Sequence, residues 1–168
     1  MAQTSEINPD MQAEQAFQAV ARASLERYRR HLPALRQSWD PEALHQARVG
    51  LRQLLATFAL FRPMIEDEPF RRLRTRVKSA ARLLGKARNL DIVLEAAHQP
   101  DLPTLRSTVS VLRSRTYAGV IRRLEGDGDH HLGEEVLDWV ENGPWRSLHK
   151  ELRQQKLANF AARRLDRF

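Results

Sequence analysis

The sequence contains no cysteine. That absence removes disulfides, thiolate zinc sites and thiol catalysis together, and it agrees with a reducing compartment, for which the cytoplasm is the default expectation. No uncharged apolar run approaches the roughly 20 residues that a bilayer span needs. The opening segment MAQTSEINPD lacks the basic and apolar regions of a secretory leader, so neither a membrane partner nor export is expected. Alternating β-branched stretches are missing too, which argues against strands. Neither paired carboxylates, nor a glycine-rich phosphate loop, nor a nucleophile beside a base can be assembled, so the chain is expected not to be an enzyme and to need no cofactor. His130 and His131 are adjacent and would point to different sides of a helix. His45 and His149 have no second histidine or acid three or four residues on, so no metal site is expected.

What the sequence does have is positive charge in one place. The net charge is +7, yet the segment from His45 to Arg88 holds eleven Lys or Arg against three acids, Glu66, Asp67 and Glu68, leaving +8 there and −1 on the rest. A confined excess of this kind suggests a site for a polyanion rather than general stickiness.

Turn residues divide the chain into helices, giving an all-α antiparallel helical bundle as the expected fold, with residues 1–8 a disordered N-terminus and 9–168 one helical domain. Asn8, Pro9 and Asp10 form a plausible start for a first helix, and Leu32 with Pro33 its end. Asp40, Pro41 and Glu42 supply a cap, a first-turn proline and a dipole-complementing acid for a second helix, expected to stop before Pro63. A short acidic loop from Ile65 to Glu68 leads to a third helix near Pro69, antiparallel to the second, and Pro103 to Glu125 forms a fourth. Breaks follow at Gly126 to Asp129 and at Asn142 to Pro144, flanking a short helix around Glu134 to Val140. In the last segment the apolar phase shifts between Trp145, Leu148 and Leu152 and the later set Leu157, Phe160, Ala161, Leu165 and Phe168, which predicts a bend near Gln154 and Gln155 or a helix with two buried faces.

Within the second helix, spacings of three, four and seven place His45, Arg48 and Arg52 in one stripe. The apolar residues Leu44, Ala47, Leu51, Leu54, Leu55, Phe58 and Phe61 centre roughly 110° away, so the basic stripe flanks the core. The third helix repeats the arrangement, with Arg71, Arg74, Lys78 and Arg82 beside Phe70, Leu73, Val77, Ala80 and Leu84. Two helices packed by these apolar faces would line a cationic groove. Arginine suits phosphate there, because its planar fork donates two parallel hydrogen bonds and stays charged. Gly85 costs a helix about 1 kcal/mol relative to alanine, which asks for a packing or binding reason, close helix approach being the simpler. Arg88 and Asp91 are three apart and could pair, and Asp91 could equally orient Arg48 or His45.

The string HQARVGLRQLLATFALFRP, followed by a basic helix and LLGKARNLD, resembles the CHAD family, the conserved histidine α-helical domain. His45, Arg48, Val49 and Arg52 match its first motif, and Leu84, Gly85, Arg88 and Asp91 its second. The later strings LRSRTYAGVIRRLE, VLDWV and LANFAARRLDRF also resemble that family, so that roughly residues 15–168 are covered. The resemblance implies a helical fold of two pseudo-symmetric bundles around a basic pore that binds inorganic polyphosphate, sometimes fused to a CYTH-type triphosphatase domain. Taken with the two basic stripes, it leads to His45, Arg48, Arg52, Arg71, Arg74, Lys78, Arg82 and Arg88 as the residues expected to hold the polyphosphate. Location in the cytoplasm, at polyphosphate granules, goes with that reading. Gln53, Leu55 and Asn89 depart from the family pattern. Only the N-terminal half is matched, and the second half, with its own His-x-x-Arg motif, is not present.

Two other readings use the same residues. Any cationic groove attracts a nucleic-acid backbone, although no aromatic residue stands among the basic ones of the third helix to stack bases. A histidine phosphotransfer module would use His45, but in that pattern glycine adjoins the cation, whereas here Val49 separates Arg48 from Gly50. Finally, the second half of the family fold is absent and the apolar face from Leu157 to Phe168 requires cover, so a homodimer that supplies the missing half-bundle in trans, or a missing C-terminal half, is expected.

Overall fold

Proline and capping side chains set where the helices begin, and the apolar stripes set how far they run. The structure, a computed structural model, describes residues 7–97, 103–126 and 130–165. In chain order the helices are α1 (Ala13–Ser38), α2 (Pro41–Ile65), α3 (Glu68–Ala96), α4 (Pro103–Glu125), α5 (Leu132–Asn142), a 3-10 turn (Pro144–Ser147), α6 (Lys150–Gln154) and α7 (Leu157–Leu165). None of the helices among the described residues is long and apolar enough to cross a membrane. Residues 1–6 of the expected disordered N-terminus lie outside the described residues, but Asn8 is ordered. Its carboxamide oxygen accepts from the amides of Asp10 and Met11 at 2.9 and 3.0 Å.

That Asn8 turn delays α1 to Ala13 instead of letting it begin at Pro9. The helix also passes through Pro33, where an end was expected. Pro33 is exposed while Leu35 is fully buried, so continuing the helix buries an apolar residue that stopping would leave out. The true end is Trp39, in the left-handed region at φ 52°, with its amide donating to the Leu35 carbonyl at 3.2 Å.

In α2, Asp40 caps as its position predicts, accepting from the Glu42 amide at 2.9 Å. The expected stop before Pro63 does not occur, and α2 continues to Ile65. Pro63 has no N–H for the carbonyl of Ala59, four residues earlier. Arg164 of α7 fills that gap, donating to the carbonyls of Ala59 and Leu60 at 3.2 and 3.1 Å. Met64 and Ile65, carried by the added turn, are fully buried.

Asp67 starts α3. It accepts from the Phe70 amide at 2.7 Å, from the Trp139 indole at 3.1 Å and from the Trp145 amide at 3.0 Å, so one carboxylate caps α3 and anchors α5 and the turn after it. Helix α3 runs antiparallel to α2: Phe58 meets Phe70 with ring centroids 5.4 Å apart, and Arg48 lies beside Gly85. Helix α4 has the expected bounds, and α5 is longer than expected. The bend expected near Gln154 and Gln155 is present as the break between α6 and α7.

Phe17, Phe58, Phe61, Phe70, Trp139, Trp145 and Phe160 form an aromatic core at one end of the bundle. Phe160 stacks on Phe61 at 5.1 Å and is 3% exposed. The apolar face of α7 is therefore covered from within the chain at Phe160. Phe168 lies outside the described residues. Close helix approach occurs at Gly50, where a Cβ would sit 2.7 Å from the Ser24 carbonyl oxygen and 2.8 Å from the Tyr28 nitrogen, both backbone atoms of α1.

Candidate functional site

The predicted stripes lie on α2 and α3, whose apolar residues pack together in the core. Arg48 and Gly85 tie the two together: a Cβ on Gly85 would stand 3.5 Å from Arg48 Nε. That is ordinary van der Waals contact, and no backbone atom of a neighbouring helix comes within 4 Å of that Cβ, so Gly85 does not serve close helix packing, contrary to the simpler reading of its sequence position. His45, Arg48 and Arg88 are half-buried, whereas Arg52, Arg71, Arg74, Lys78 and Arg82 are exposed. From Arg71 to Arg88 the track extends about 26 Å at the helical rise.

Charge is distributed unevenly along this track. At the start of α3, Arg71 pairs with Glu68 at 3.5 Å and lies 3.8 Å from Glu66, and Glu66 also takes two hydrogen bonds from Arg62. The hydrogen bond from Arg62, followed by the charges of Arg62, Arg71 and Arg74, holds the Glu66 carboxyl below its usual range against the effect of burial. No carboxylate among the described residues pairs with Arg48, Arg52, Arg74, Lys78, Arg82 or Arg88, and Asp67, the third acid of the segment, is held at the α3 cap. His45 adds a buried Nδ1 with no hydrogen-bond partner. The acids nearest this end in sequence are engaged elsewhere, since Asp40 caps α2 and Glu42 accepts from Gln46 at 2.6 Å.

Asp91 does not serve the site in the way its spacing suggested. It pairs neither with Arg88 nor with Arg48 or His45. Its carboxylate accepts from Arg113 Nε and from the Tyr117 hydroxyl, each at 2.7 Å, and Arg113 also donates to the Trp39 carbonyl at 3.3 Å. The guanidinium lies over the Tyr117 ring, 4.3 Å from its centroid. This cluster joins α3, α4 and the turn between α1 and α2, fixing the end of the bundle that bears His45 and Arg88. Burial first, then the hydrogen bond to Asp91 and its charge, push the Tyr117 hydroxyl well above the usual phenol range. Burial opposes the Arg113 charge, but the Asp91 hydrogen bond and the neighbouring Tyr117 and Asp91 leave it more firmly protonated than usual. Arg113 and Tyr117 escaped the sequence reading because both are on α4, more than 20 residues from Asp91.

Of the family-pattern departures, Gln53 and Asn89 are exposed, and Leu55 packs against the core. His130 and His131, expected to point apart, instead contact each other in the turn before α5, with Nδ1 of one 3.2 Å from Nε2 of the other. No group of three or more His, Cys, Asp or Glu able to hold a metal ion occurs among the described residues. A separate cleft of about 440 Å³ lies between α3 and α5, with Leu73 and Trp139 in its lining and the Arg76–Glu135 ion pair beside them.

No curated protein matches the chain. Among solved structures, the crystal structure of the CHAD domain from the plant Ricinus communis superposes with a TM-score of 0.80 at 24% identity, covering 99% of this chain and 56% of that one. At that identity the likeness establishes the fold, and the chain spans little more than half the length of its counterpart. The family model for the CHAD domain matches residues 19–168. A match that runs from within α1 to the last residue, on a fold that superposes on a CHAD domain, makes this chain a member of the CHAD domain family.

Proposed function

We propose that the basic stripes of α2 and α3 bind inorganic polyphosphate and that the domain catalyses nothing by itself. The reading rests on one observation: six cations of α2 and α3, Arg48, Arg52, Arg74, Lys78, Arg82 and Arg88, have no carboxylate partner among the described residues, and the three acids of their segment are engaged by Arg62, by Arg71 and at the α3 cap. Like charges held beside a packed interface repel, and a bound polyanion relieves that repulsion. Arginine forks and the His45 ring supply donors for phosphate oxygens. Turnover of the polymer would fall to a separate domain, such as a CYTH-type triphosphatase, and the setting would be the cytoplasm, at polyphosphate granules.

Titration of the protein with polyphosphate, DNA and RNA over a series of salt concentrations tests this. Polyphosphate binds more tightly than either nucleic acid at matched salt, long chains bind better than short ones, and affinity falls steeply as salt rises. Neutralising Arg48 and Arg74 together lowers the slope of log affinity against log salt by about two, one per lost contact. Arg163, exposed on α7 and away from the track, is the control. Arg164 cannot serve, because it supports α2 at Ala59 and Leu60. Equal loss from Arg163→Ala would reduce binding to general charge attraction, and tighter binding of DNA or RNA would favour a nucleic-acid module.

A further inference from the structure

The two ends of the track differ in a way that a uniform binding surface does not require. Its Arg71 end is exposed and partly neutralised by Glu66 and Glu68. At its other end His45, Arg48 and Arg88 are half-buried without a carboxylate partner, and the one buried acid nearby in sequence, Asp91, is taken by Arg113 and Tyr117. His45 and Arg48 are neighbours by helical spacing, as are Gly85 and Arg88, and Arg48 lies against Gly85 across the interface. Three donors therefore form a contiguous group, and His45 Nδ1 is wholly buried with no hydrogen-bond partner. With Nδ1 closed off, Nε2 is the ring nitrogen left to meet a phosphate oxygen.

We infer that this end is a seat for the terminus of a polyphosphate chain, whereas the exposed cations of α3 take internal phosphates. The inference rests on the polyphosphate reading of the same groove. Charge and donor count select the terminus. A terminal phosphate resembles a phosphomonoester, with up to about two negative charges and three acceptor oxygens. An internal phosphate carries about one charge and has only two free oxygens, the others being bridging. Two permanent guanidinium charges and the histidine nitrogen match the former. The α3 cations, exposed and spaced along the helix, suit a repeating monoanion that contributes little per contact and is easily screened.

The experiment compares a linear polyphosphate of defined length with the same chain whose two ends are blocked as alkyl phosphoramidates, at about 0.5 M salt, where exposed charges are largely screened. The wild-type protein prefers the free-ended chain by about tenfold or more, the equivalent of one charge-assisted hydrogen bond. Phosphorus NMR shows the end-group resonance responding to sub-stoichiometric protein before the mid-chain resonance does. The preference vanishes in His45→Ala, and also in Gly85→Val, whose added methyl groups extend beyond a Cβ that already touches Arg48 Nε. Arg74→Gln weakens both chains alike and keeps the preference. Circular dichroism checks that each variant is folded, and the two independent variants guard against failure of either one. Equal affinity of the wild type for free and blocked chains overturns the terminal seat while leaving polyphosphate binding intact, as does a preference that survives both His45→Ala and Gly85→Val. Failure of the wild type to bind either chain overturns the polyphosphate reading itself, and the seat with it.

Discussion

Replacing Asp91 with alanine removes the carboxylate that joins α3 to α4, and the structure sets the scale of the loss. The Asp91 side chain is 5% exposed and that of Arg113 is 19%, so deletion of the acid leaves a largely desolvated guanidinium without its counter-charge. Breaking such a pair typically costs 3–5 kcal/mol, and the residual exposure of Arg113 argues for the lower end, about 3 kcal/mol. The Tyr117 hydroxyl, on a fully buried residue, loses its acceptor at the same time. For a domain of this size, about 3 kcal/mol corresponds to a fall in Tm of roughly 6 to 12 °C. Urea and thermal unfolding followed by circular dichroism measure it. Asp91→Asn, which keeps an acceptor but not the charge, falls between wild type and alanine. The double variant Asp91→Leu with Arg113→Met recovers most of the loss, because an apolar pair of similar volume needs no counter-charge. A cost below about 1 kcal/mol for Asp91→Ala, or no coupling between Asp91 and Arg113 in the double-mutant cycle, would refute the reasoning.

Gly50→Ala costs about 1 to 2 kcal/mol in a urea melt despite alanine's better helix propensity, since the new Cβ meets the α1 backbone at 2.7 and 2.8 Å and forces the helices apart. A stabilised variant would contradict the close approach. Arg164→Ala leaves the Ala59 and Leu60 carbonyls to water and costs less than about 1 kcal/mol, these groups being exposed. Hydrogen exchange reads it more sharply: amides in the last turn of α2 exchange faster, and those of Leu51 and Leu54 do not change. Tyr117 has a folded-state pKa above its unfolded value of about 10, so its contribution is complete below about pH 10 and is lost as pH rises further. Tyr117→Phe therefore unfolds with a shallower alkaline slope than wild type in urea titrations from about pH 9 upward, and identical slopes would count against that burial.

Capping and periodicity were legible because both act within a turn or so of one helix. Asp40 needs only the amide two residues on, and the stripe of His45, Arg48 and Arg52 needs only 3.6 residues per turn. The same locality explains the misreadings. Pro33 and Pro63 are helix breakers when judged by their neighbours, yet the buried Leu35 compensates the first, and Arg164, 105 residues from Ala59, supplies the donor missing at the second. Phe160 read as a leftover apolar face because its cover, Phe61, is on a helix remote in the chain.

The all-α class, the helix starts at Asp40 and Pro103, and the concentration of positive charge between His45 and Arg88 follow from composition or from contacts within one helix. Which of those charges are neutralised depends on packing between helices. Glu66 and Glu68 meet the Arg71 end, Asp91 is claimed by Arg113 and Tyr117 from α4, and Arg48 packs over Gly85 of the opposite helix. The physical reason is that Coulomb and hydrogen-bond energies depend on distances in space, and the partner that satisfies a charge is chosen by packing between helices that separation along the chain does not encode.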